Sequence, residues 1–186
     1  HHASGATTNP VLVATTLTKQ PEKWASGLFA FRNEKDGEKR TESLVQAVVT
    51  HAAKEFLPVY EKSQSNCGYV CAQVDPSLAA DRDAMLVMAR RFHQWAANIA
   101  VKLPATAAGL DVLEDCIAEG ITITATVSFT VAQVVAIAQR HQKGIARALK
   151  NGVTPGKCFA VIMIGRLDNY LGDAAQDQKS AVSLAD

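Results

Sequence analysis

The sequence predicts an α/β protein built around a parallel sheet. Short apolar runs alternate with long amphipathic stretches, at the spacing of strand–helix–strand units. The apolar runs contain few polar residues, which is typical of strands covered on both faces of a sheet. A βα barrel and an open doubly wound sheet both fit this alternation. No G-x-G-x-x-G sequence follows a predicted strand, which disfavours the nucleotide-binding form of the open sheet.

The N-terminal elements are predicted from turn signals and spacing. Residues 5–10 form a turn after the tail of a strand, residues 21–31 hold a short helix, and residues 32–40 form a charged loop. From residue 41 onward, apolar side chains recur at intervals of three and four, which predicts a helix. Thr41 is its expected N-cap, and Pro58 is expected to kink or end it.

Apolar strands and amphipathic helices then alternate to the end of the chain. Strands are predicted at residues 68–74, 99–103, 121–127 and 158–164. Helices are predicted at residues 77–97, 107–119 (closed by Gly120), 131–150 (closed by Asn151-Gly152) and from 168 to the end. Basic residues at helical spacing predict a solvated helix face: Arg140, Lys143, Arg147 and Lys150. About five strands result, whereas a closed βα barrel needs eight, so we expect a barrel that is incomplete at one or both ends.

Composition limits the class of protein. The 186 residues are 48% hydrophobic, as expected for a single domain over residues 1–186. A net charge of +1 provides no strong field for nucleic acid or an anionic membrane, and no apolar run approaches the roughly 20 residues of a membrane span. We expect no signal peptide, no metal site, and a cytoplasmic protein whose four scattered cysteines are reduced: Cys67, Cys71, Cys116 and Cys158.

Polar side chains stand at the ends of the predicted strands, where catalytic residues collect in βα barrels. They are Thr7, Thr8 and Asn9, then Gln73 and Asp75, then Lys102, then Thr124 and Thr126, and finally Arg166. Each residue type is also common at turns or strand ends, and a lysine there usually extends its charge into water. Burial, however, lowers the pKa of a lysine, and a neutral amine attacks a carbonyl to form a Schiff base. An amine, amides, hydroxyls and a guanidinium together suit a phosphorylated sugar.

Five motifs occur in the order seen in transaldolases, which the chain resembles from Ser4 to about Asp173. They are GATTNP at 5–10, AQVDP at 72–76, VKLPAT at 101–106 followed by Gly109-Leu110, GITITAT at 120–126, and GRLD at 165–168. The first and third motifs are specific when they occur together. The resemblance implies a (β/α)8 barrel that transfers a dihydroxyacetone unit between sugar phosphates of the pentose phosphate pathway, with no metal or organic cofactor.

The resemblance also implies roles for individual residues. Lys102 is the expected Schiff-base lysine, while Thr7 and Asn9 are expected to contact the bound dihydroxyacetone unit. Thr126 is expected to help hold a catalytic water molecule. Arg166 is expected to bind phosphate, whose oxygens suit its planar fork of donors.

The sequence departs from the family pattern at two positions and in the number of barrel strands that it contains. Gln73 stands where transaldolases carry a glutamate and fructose 6-phosphate aldolases a glutamine; an amide still hydrogen-bonds the catalytic water but is a far poorer base. Thr124 stands at a substrate-binding position where asparagine is common. The strand with the family's catalytic aspartate would precede His1, and the last two strands would follow Asp186. Aldol cleavage by a fructose 6-phosphate aldolase-like enzyme is therefore one alternative expectation, and a non-catalytic truncated barrel is another. Such a barrel would act as a structural or interaction module, or would bind a second copy of the chain at its open sheet edges to form a homo-oligomer.

Overall fold

Five parallel strands, taken in chain order, form one sheet within residues 3–168 and 170–172, which the computed structural model describes. The strands are β1 (Gly5–Ala6), β2 (Tyr69–Gln73), β3 (Ile99–Pro104), β4 (Ile123–Ser128) and β5 (Cys158–Ile162). Each strand pairs with the next one along the chain. A doubly wound sheet reverses its strand order at a switch point, whereas barrel strands follow chain order. The sheet is therefore an open section of a βα barrel, and the expected fold class is confirmed.

Six α-helices connect the strands in the same described ranges. They are α1 (Pro10–Lys19), α2 (Pro21–Ala30), α3 (Gly37–Lys62), α4 (Arg82–His93), α5 (Ala107–Ala118) and α6 (Val131–Lys150), with a short 3-10 helix at Pro76–Leu78. None of these helices is both long and apolar enough to cross a membrane. The predicted C-terminal helix is present at Asp168 and residues 170–172, and its remainder lies outside the described residues.

The predicted start of α3 is wrong, and the helix does not end at Pro58. The helix begins at Gly37, because the Asp36 carboxylate accepts hydrogen bonds from the backbone N–H groups of the first turn. Thr41 lies inside the helix, where its hydroxyl donates to the Gly37 carbonyl at 2.8 Å. The helix also continues through Pro58 to Lys62. Residues 37–40 are therefore helical and not part of a charged loop.

The predicted helix at residues 77–97 is divided. The 3-10 helix Pro76–Leu78 follows β2, and α4 starts only after Asp81, whose side chain accepts a hydrogen bond from the Ala84 N–H at 3.0 Å. Helix α1 has no counterpart in the sequence prediction. It begins at Pro10, directly after its N-cap Asn9.

One face of the sheet packs against the helices and forms the core. Alternate residues of β2, β3 and β4 lie on this face, as the two-residue period of a strand requires. They are buried against large apolar side chains of α4, α5 and α6, and the cluster includes Val70, Ala72, Ile99, Val101, Leu103, Ile123, Ala125, Met85, Phe92, Leu113, Ile117 and Ile137. The other residues of the same strands, which include the predicted site residues, therefore face away from the helices.

The face turned away from the helices is strongly concave. The rings of Tyr69 on β2 and Phe159 on β5 have centroids 5.5 Å apart. In a flat sheet these two strands would be about 14 Å apart, because neighbouring strands are separated by about 4.8 Å. Cys71 Sγ on β2 likewise lies 3.3 Å from Thr124 Oγ1 on β4. Both contacts join strands that are not neighbours in the sheet, as side chains do in a barrel interior, so the concave face is the wall of a bore.

An ion-pair network joins three helices on the outer surface. Asp115 of α5 binds Arg82 of α4 and, at 2.7 Å, Arg147 of α6. Glu114 binds Arg140 at 2.9 Å and Arg147 at 3.1 Å. The basic face of α6 is at the surface, as predicted, and its Arg140 and Arg147 form ion pairs there with carboxylates of α5.

Candidate active site

Lys102 lies in the bore, near the carboxyl end of β3. Its neighbours Val101 and Leu103 are fully buried on the helix face, so the alternation of the strand turns Lys102 to the concave face. The side chain is half-buried, and Nζ donates to Thr7 Oγ1 and to the Thr8 carbonyl, each at 3.4 Å. The lysine that the sequence singles out is therefore held inside the barrel wall and does not extend into solvent.

The environment of Lys102 disfavours its charged form. Burial lowers the pKa of the amine below its ordinary value, and the nearby Arg166 guanidinium lowers it further. The Cys71 thiol acts in the opposite direction, with an effect smaller than that of burial. A larger share of Lys102 is consequently neutral, and thus nucleophilic, than of an exposed lysine at the same pH.

Thr8 anchors the segment that faces Lys102. Strand β1 has only two residues, and the buried Thr8 hydroxyl attaches the chain beyond it by donating to the Cys71 carbonyl at 2.7 Å. This bond keeps the Thr8 carbonyl and the Thr7 hydroxyl next to the amine. The sequence analysis placed Thr8 among the strand-end residues, but no local pattern indicated that its hydroxyl would bind the backbone of another strand.

Asn9 uses one half of its side-chain amide to cap α1. Its Oδ1 accepts a hydrogen bond from the Leu12 N–H at 2.8 Å and so caps α1. Because the oxygen must be the acceptor in this bond, the Nδ2 donors are the part of the amide that remains for a ligand. The structure thus presents Asn9 as a hydrogen-bond donor after β1.

Two buried threonines line β4 on the concave face. Thr124 is 4% exposed and Thr126 is 7% exposed. Thr124 is the register partner of Lys102, and Thr126 is the partner of Pro104, two residues further toward the carboxyl end. The Thr126 carbonyl accepts a hydrogen bond from the Ala105 N–H at 2.7 Å, which ties this end of β4 to the end of β3.

Gln73 and Arg166 complete the predicted set. Gln73 is the register partner of Lys102 on β2. It also borders a groove of about 680 Å³ that runs between the starts of α1 and α3 and the second half of α4. Arg166 is exposed beyond β5, yet close enough to lower the pKa of Lys102. Thr7, Gln73 and Thr124 therefore surround Lys102, while Thr126 and Arg166 lie nearer the rim.

The described ranges contain no group of three or more His, Cys, Asp or Glu side chains placed to hold a metal ion. The chemistry available from the residues themselves consists of one amine with a lowered pKa, hydroxyl groups, two amides and an arginine. These groups suit the addition of the amine to a carbonyl and the hydrogen bonding of a polyhydroxylated ligand.

The fold and these residues define a βα-barrel protein with a half-buried amine of lowered pKa near the carboxyl end of its sheet. A model of the transaldolase/fructose-6-phosphate aldolase family matches residues 1–186. The chain belongs to this family, as its motifs predict.

Curated relatives agree with the family. The transaldolase of Thiobacillus denitrificans is 33% identical over 172 residues, which cover 89% of this chain and 47% of the relative. The transaldolase of Neisseria gonorrhoeae is 31% identical over 189 residues, which cover 97% of this chain and 54% of the relative. Transaldolase 2 of a Nostoc species is 33% identical over 149 residues, 78% of this chain and 39% of the relative. The chain thus spans about half the length of the first two of these relatives.

Proposed function

We propose that this protein acts on phosphorylated sugars through a Schiff base on Lys102 and transfers a dihydroxyacetone unit from a ketose phosphate to an aldose phosphate. The observation that carries the proposal is the half-buried Lys102 amine, whose pKa is lowered inside the bore. The transaldolase names of the relatives support the substrate class and a place in the pentose phosphate pathway. Four free cysteines support a reducing, cytoplasmic setting.

The proposed reaction begins when neutral Lys102 Nζ adds to the C2 carbonyl of the ketose phosphate. A proton is taken up as water leaves the carbinolamine, which gives a protonated imine. The C3–C4 bond then breaks: its electron pair moves into the imine to form an enamine, the C4 hydroxyl passes its proton to a bound water molecule, and an aldose phosphate departs. The enamine adds to the aldehyde carbon of an acceptor, which forms a new C3–C4 bond, regenerates the protonated imine and returns a proton from the water molecule to the new C4 oxygen. Hydrolysis releases the new ketose phosphate and restores the amine.

The surrounding residues have complementary proposed roles. The Asn9 Nδ2 donors and the Thr7 and Thr124 hydroxyls bind the oxygens of the three-carbon unit. Thr126 holds the water molecule that relays protons, and the Gln73 amide hydrogen-bonds this water without acting as a strong base. Arg166 binds the phosphate group at the rim of the bore.

Aldol cleavage is the second candidate function, and Gln73 is the observation that favours it. In this reaction the enamine is protonated and dihydroxyacetone is released by hydrolysis, with no acceptor sugar. An amide next to Lys102 changes how the relay water is held and can shift the balance between transfer and release.

Borohydride trapping tests the shared chemistry. The protein is incubated with fructose 6-phosphate or dihydroxyacetone, reduced, and analysed by intact and peptide mass spectrometry. We expect a stable adduct on Lys102, absent from Lys102→Met and retained in Lys157→Met, which removes an amine that binds Asn66 at 3.1 Å outside the proposed site. No adduct, or an adduct spread evenly over surface lysines, would contradict the Schiff-base proposal and favour a non-catalytic barrel section.

A further inference from the structure

Strand β4 contains a bulge directly after Thr126. The β4–β5 pairing passes from Ala125 opposite Ala160 to Ser128 opposite Ile162. Strand β4 thus advances by three residues while β5 advances by two, which is the signature of one extra residue in a strand. Bulges of this kind redirect side chains and are frequent next to active sites.

The bulge places Val127 in an unfavourable backbone conformation. Its φ is +61°, a left-handed value that a β-branched residue rarely adopts. The other described non-glycine residues with positive φ, Gln64 and Ser65, lie in the turn before β2. Such a conformation persists only where neighbouring contacts enforce it, and it occurs preferentially at functional sites.

The extra residue decides which side chain of β4 is the last to face the bore. Ala160 and Ile162 are two residues apart on β5 and share one face, so their partners Ala125 and Ser128 also share a face, which is the helix face. Ser128 is accordingly fully buried, and its hydroxyl has no hydrogen-bond partner there. Unbroken alternation would instead have turned residue 128 into the bore alongside Thr126.

One side chain of α6 holds the backbone of the bulge and of the turn that follows it, a set of contacts that we call the clamp. Gln133 Nε2 donates to the Val127 carbonyl at 3.2 Å, and Oε1 accepts from the Phe129 N–H at 2.9 Å and the Thr130 N–H at 3.2 Å. The Gln133 N–H in turn donates to Thr130 Oγ1 at 3.2 Å, which completes a capping box. The amide therefore fixes the backbone from the carbonyl of the strained residue to the start of α6.

We infer that Gln133 is a positioning residue for the proposed Schiff-base reaction. It acts through Val127, whose bulge fixes the orientation of Thr126 against the end of β3, where the Thr126 carbonyl binds the Ala105 N–H at 2.7 Å. Gln133 itself is placed on no substrate atom. The inference rests on the proposed function, because it concerns the threonine proposed to hold the relay water.

Two substitutions distinguish the bond from Gln133 to the Val127 carbonyl from the role of Gln133 in capping α6. Gln133→Glu keeps oxygen acceptors for Phe129 and Thr130, and a negative charge in the first turn of a helix is favourable. It removes the donor to the Val127 carbonyl. Val127→Gly, added to Gln133→Glu, removes the side chain that makes the left-handed conformation unfavourable, so the bulge no longer depends on the clamp.

The readout is the rate at which the borohydride-trapped adduct forms on Lys102, measured together with the urea midpoint of unfolding. We expect Gln133→Glu to keep the midpoint and to slow trapping about ten- to a hundredfold, the range seen when a catalytic group is misplaced. The double variant Val127→Gly/Gln133→Glu should recover most of this rate. Asp81→Ala, which removes the cap of α4, is the control and should not slow trapping.

A rate for Gln133→Glu within twofold of the unchanged protein would overturn the inference, and so would a failure of Val127→Gly to restore it. If the unchanged protein forms no adduct, the proposed function fails. Amide hydrogen exchange then tests whether Gln133 holds the bulge in place. Its reporters are Ala105 N–H and Met163 N–H, which donate to the Thr126 and Ser128 carbonyls. Faster exchange in Gln133→Glu would support the clamp, and unchanged exchange would refute it.

Discussion

Lys102 Nζ lies 3.4 Å from Thr7 Oγ1, although the two residues are 95 positions apart in the chain. Strand β2 separates the strand of Lys102 from the segment that carries Thr7. The contact therefore exists only because the sheet is curved enough for alternate strands to meet over their common neighbour. The curvature of the sheet thus determines the surroundings of the amine.

The first prediction concerns the stability cost of Lys102. Its pKa is lowered by burial, so protonation destabilises the folded state relative to the unfolded state, where the value is near 10.5. The penalty is fully present below the folded pKa and disappears as the pH rises to 10.5. We therefore expect Lys102→Met to raise the free energy of unfolding at neutral pH, by an amount that shrinks toward alkaline pH. Urea titrations across this range measure the difference.

The exposed Lys143 supplies the control for that experiment. Lys143→Met removes an exposed lysine from the surface of α6 and is measured across the same pH range. Equal pH dependence in the two variants would contradict a specific burial cost at Lys102.

The second prediction concerns the choice between transfer and cleavage. Gln73→Glu places a carboxylate beside Lys102, and a carboxylate is a far better base for the relay water than an amide. We expect the ratio of newly formed ketose phosphate to free dihydroxyacetone to rise. Gln46→Glu introduces the same charge in the groove that Gln73 borders and should leave the ratio unchanged. A constant ratio in Gln73→Glu would argue against a role for this residue in partitioning.

The third prediction concerns the ion-pair network on the outer surface. Asp115 is buried and binds both Arg82 and Arg147. Asp115→Ala should lower the free energy of unfolding by about 1–3 kcal/mol, because charge-assisted hydrogen bonds are lost. Asp83→Ala removes an exposed partner of the same Arg82 and should cost at most about 1 kcal/mol. Chemical denaturation of both variants tests the contrast, and equal losses would refute it.

The fourth prediction concerns the close contact of α5 and α6. A Cβ at Gly144 would lie 2.7 Å from Ile117 Cβ and 2.8 Å from the Glu114 carbonyl oxygen. Gly144→Ala should therefore destabilise the protein by about 1–3 kcal/mol through overpacking, despite the higher helix propensity of alanine. At Gly37 no atom lies within 4 Å of an added Cβ, so Gly37→Ala should be neutral or stabilising. Thermal unfolding gives the sign of each effect; stabilisation by Gly144→Ala would be inconsistent with this packing.

Much of the fold follows from local sequence signals. The limits of α6 were predicted at both ends, and the turn glycines Gly120 and Gly152 adopt the positive φ expected after a helix. Helix α1 was not predicted, because its threonines and valines have modest helix propensity. Its start depends on the Asn9 cap, and its packing on the buried Val13.

Some contacts of the candidate site also follow from local sequence signals, and others do not. Gln73, Lys102 and Thr124 are neighbours because their strands pair in parallel and in register, which the alternation of the strands and their polar ends indicated. Thr8 and Gln133 act through backbone groups of other segments. The capping box of Gln133 with Thr130 is a local sequence pattern, but the bond from Gln133 to the Val127 carbonyl depends on the bulge. The Thr8 bond depends on the pairing of segments that are 63 positions apart.

The sheet runs in chain order, which has a consequence for how the chain folds. Each strand from β3 onward pairs with the strand synthesised just before it, so these βα units can assemble one after another. The β1–β2 pairing is different, because Thr8 and Cys71 are 63 positions apart and closing a longer loop costs more entropy. We therefore expect the segment with Thr7 to dock late in folding. Lys102 would then be enclosed only after its strand has paired with β2 and β4.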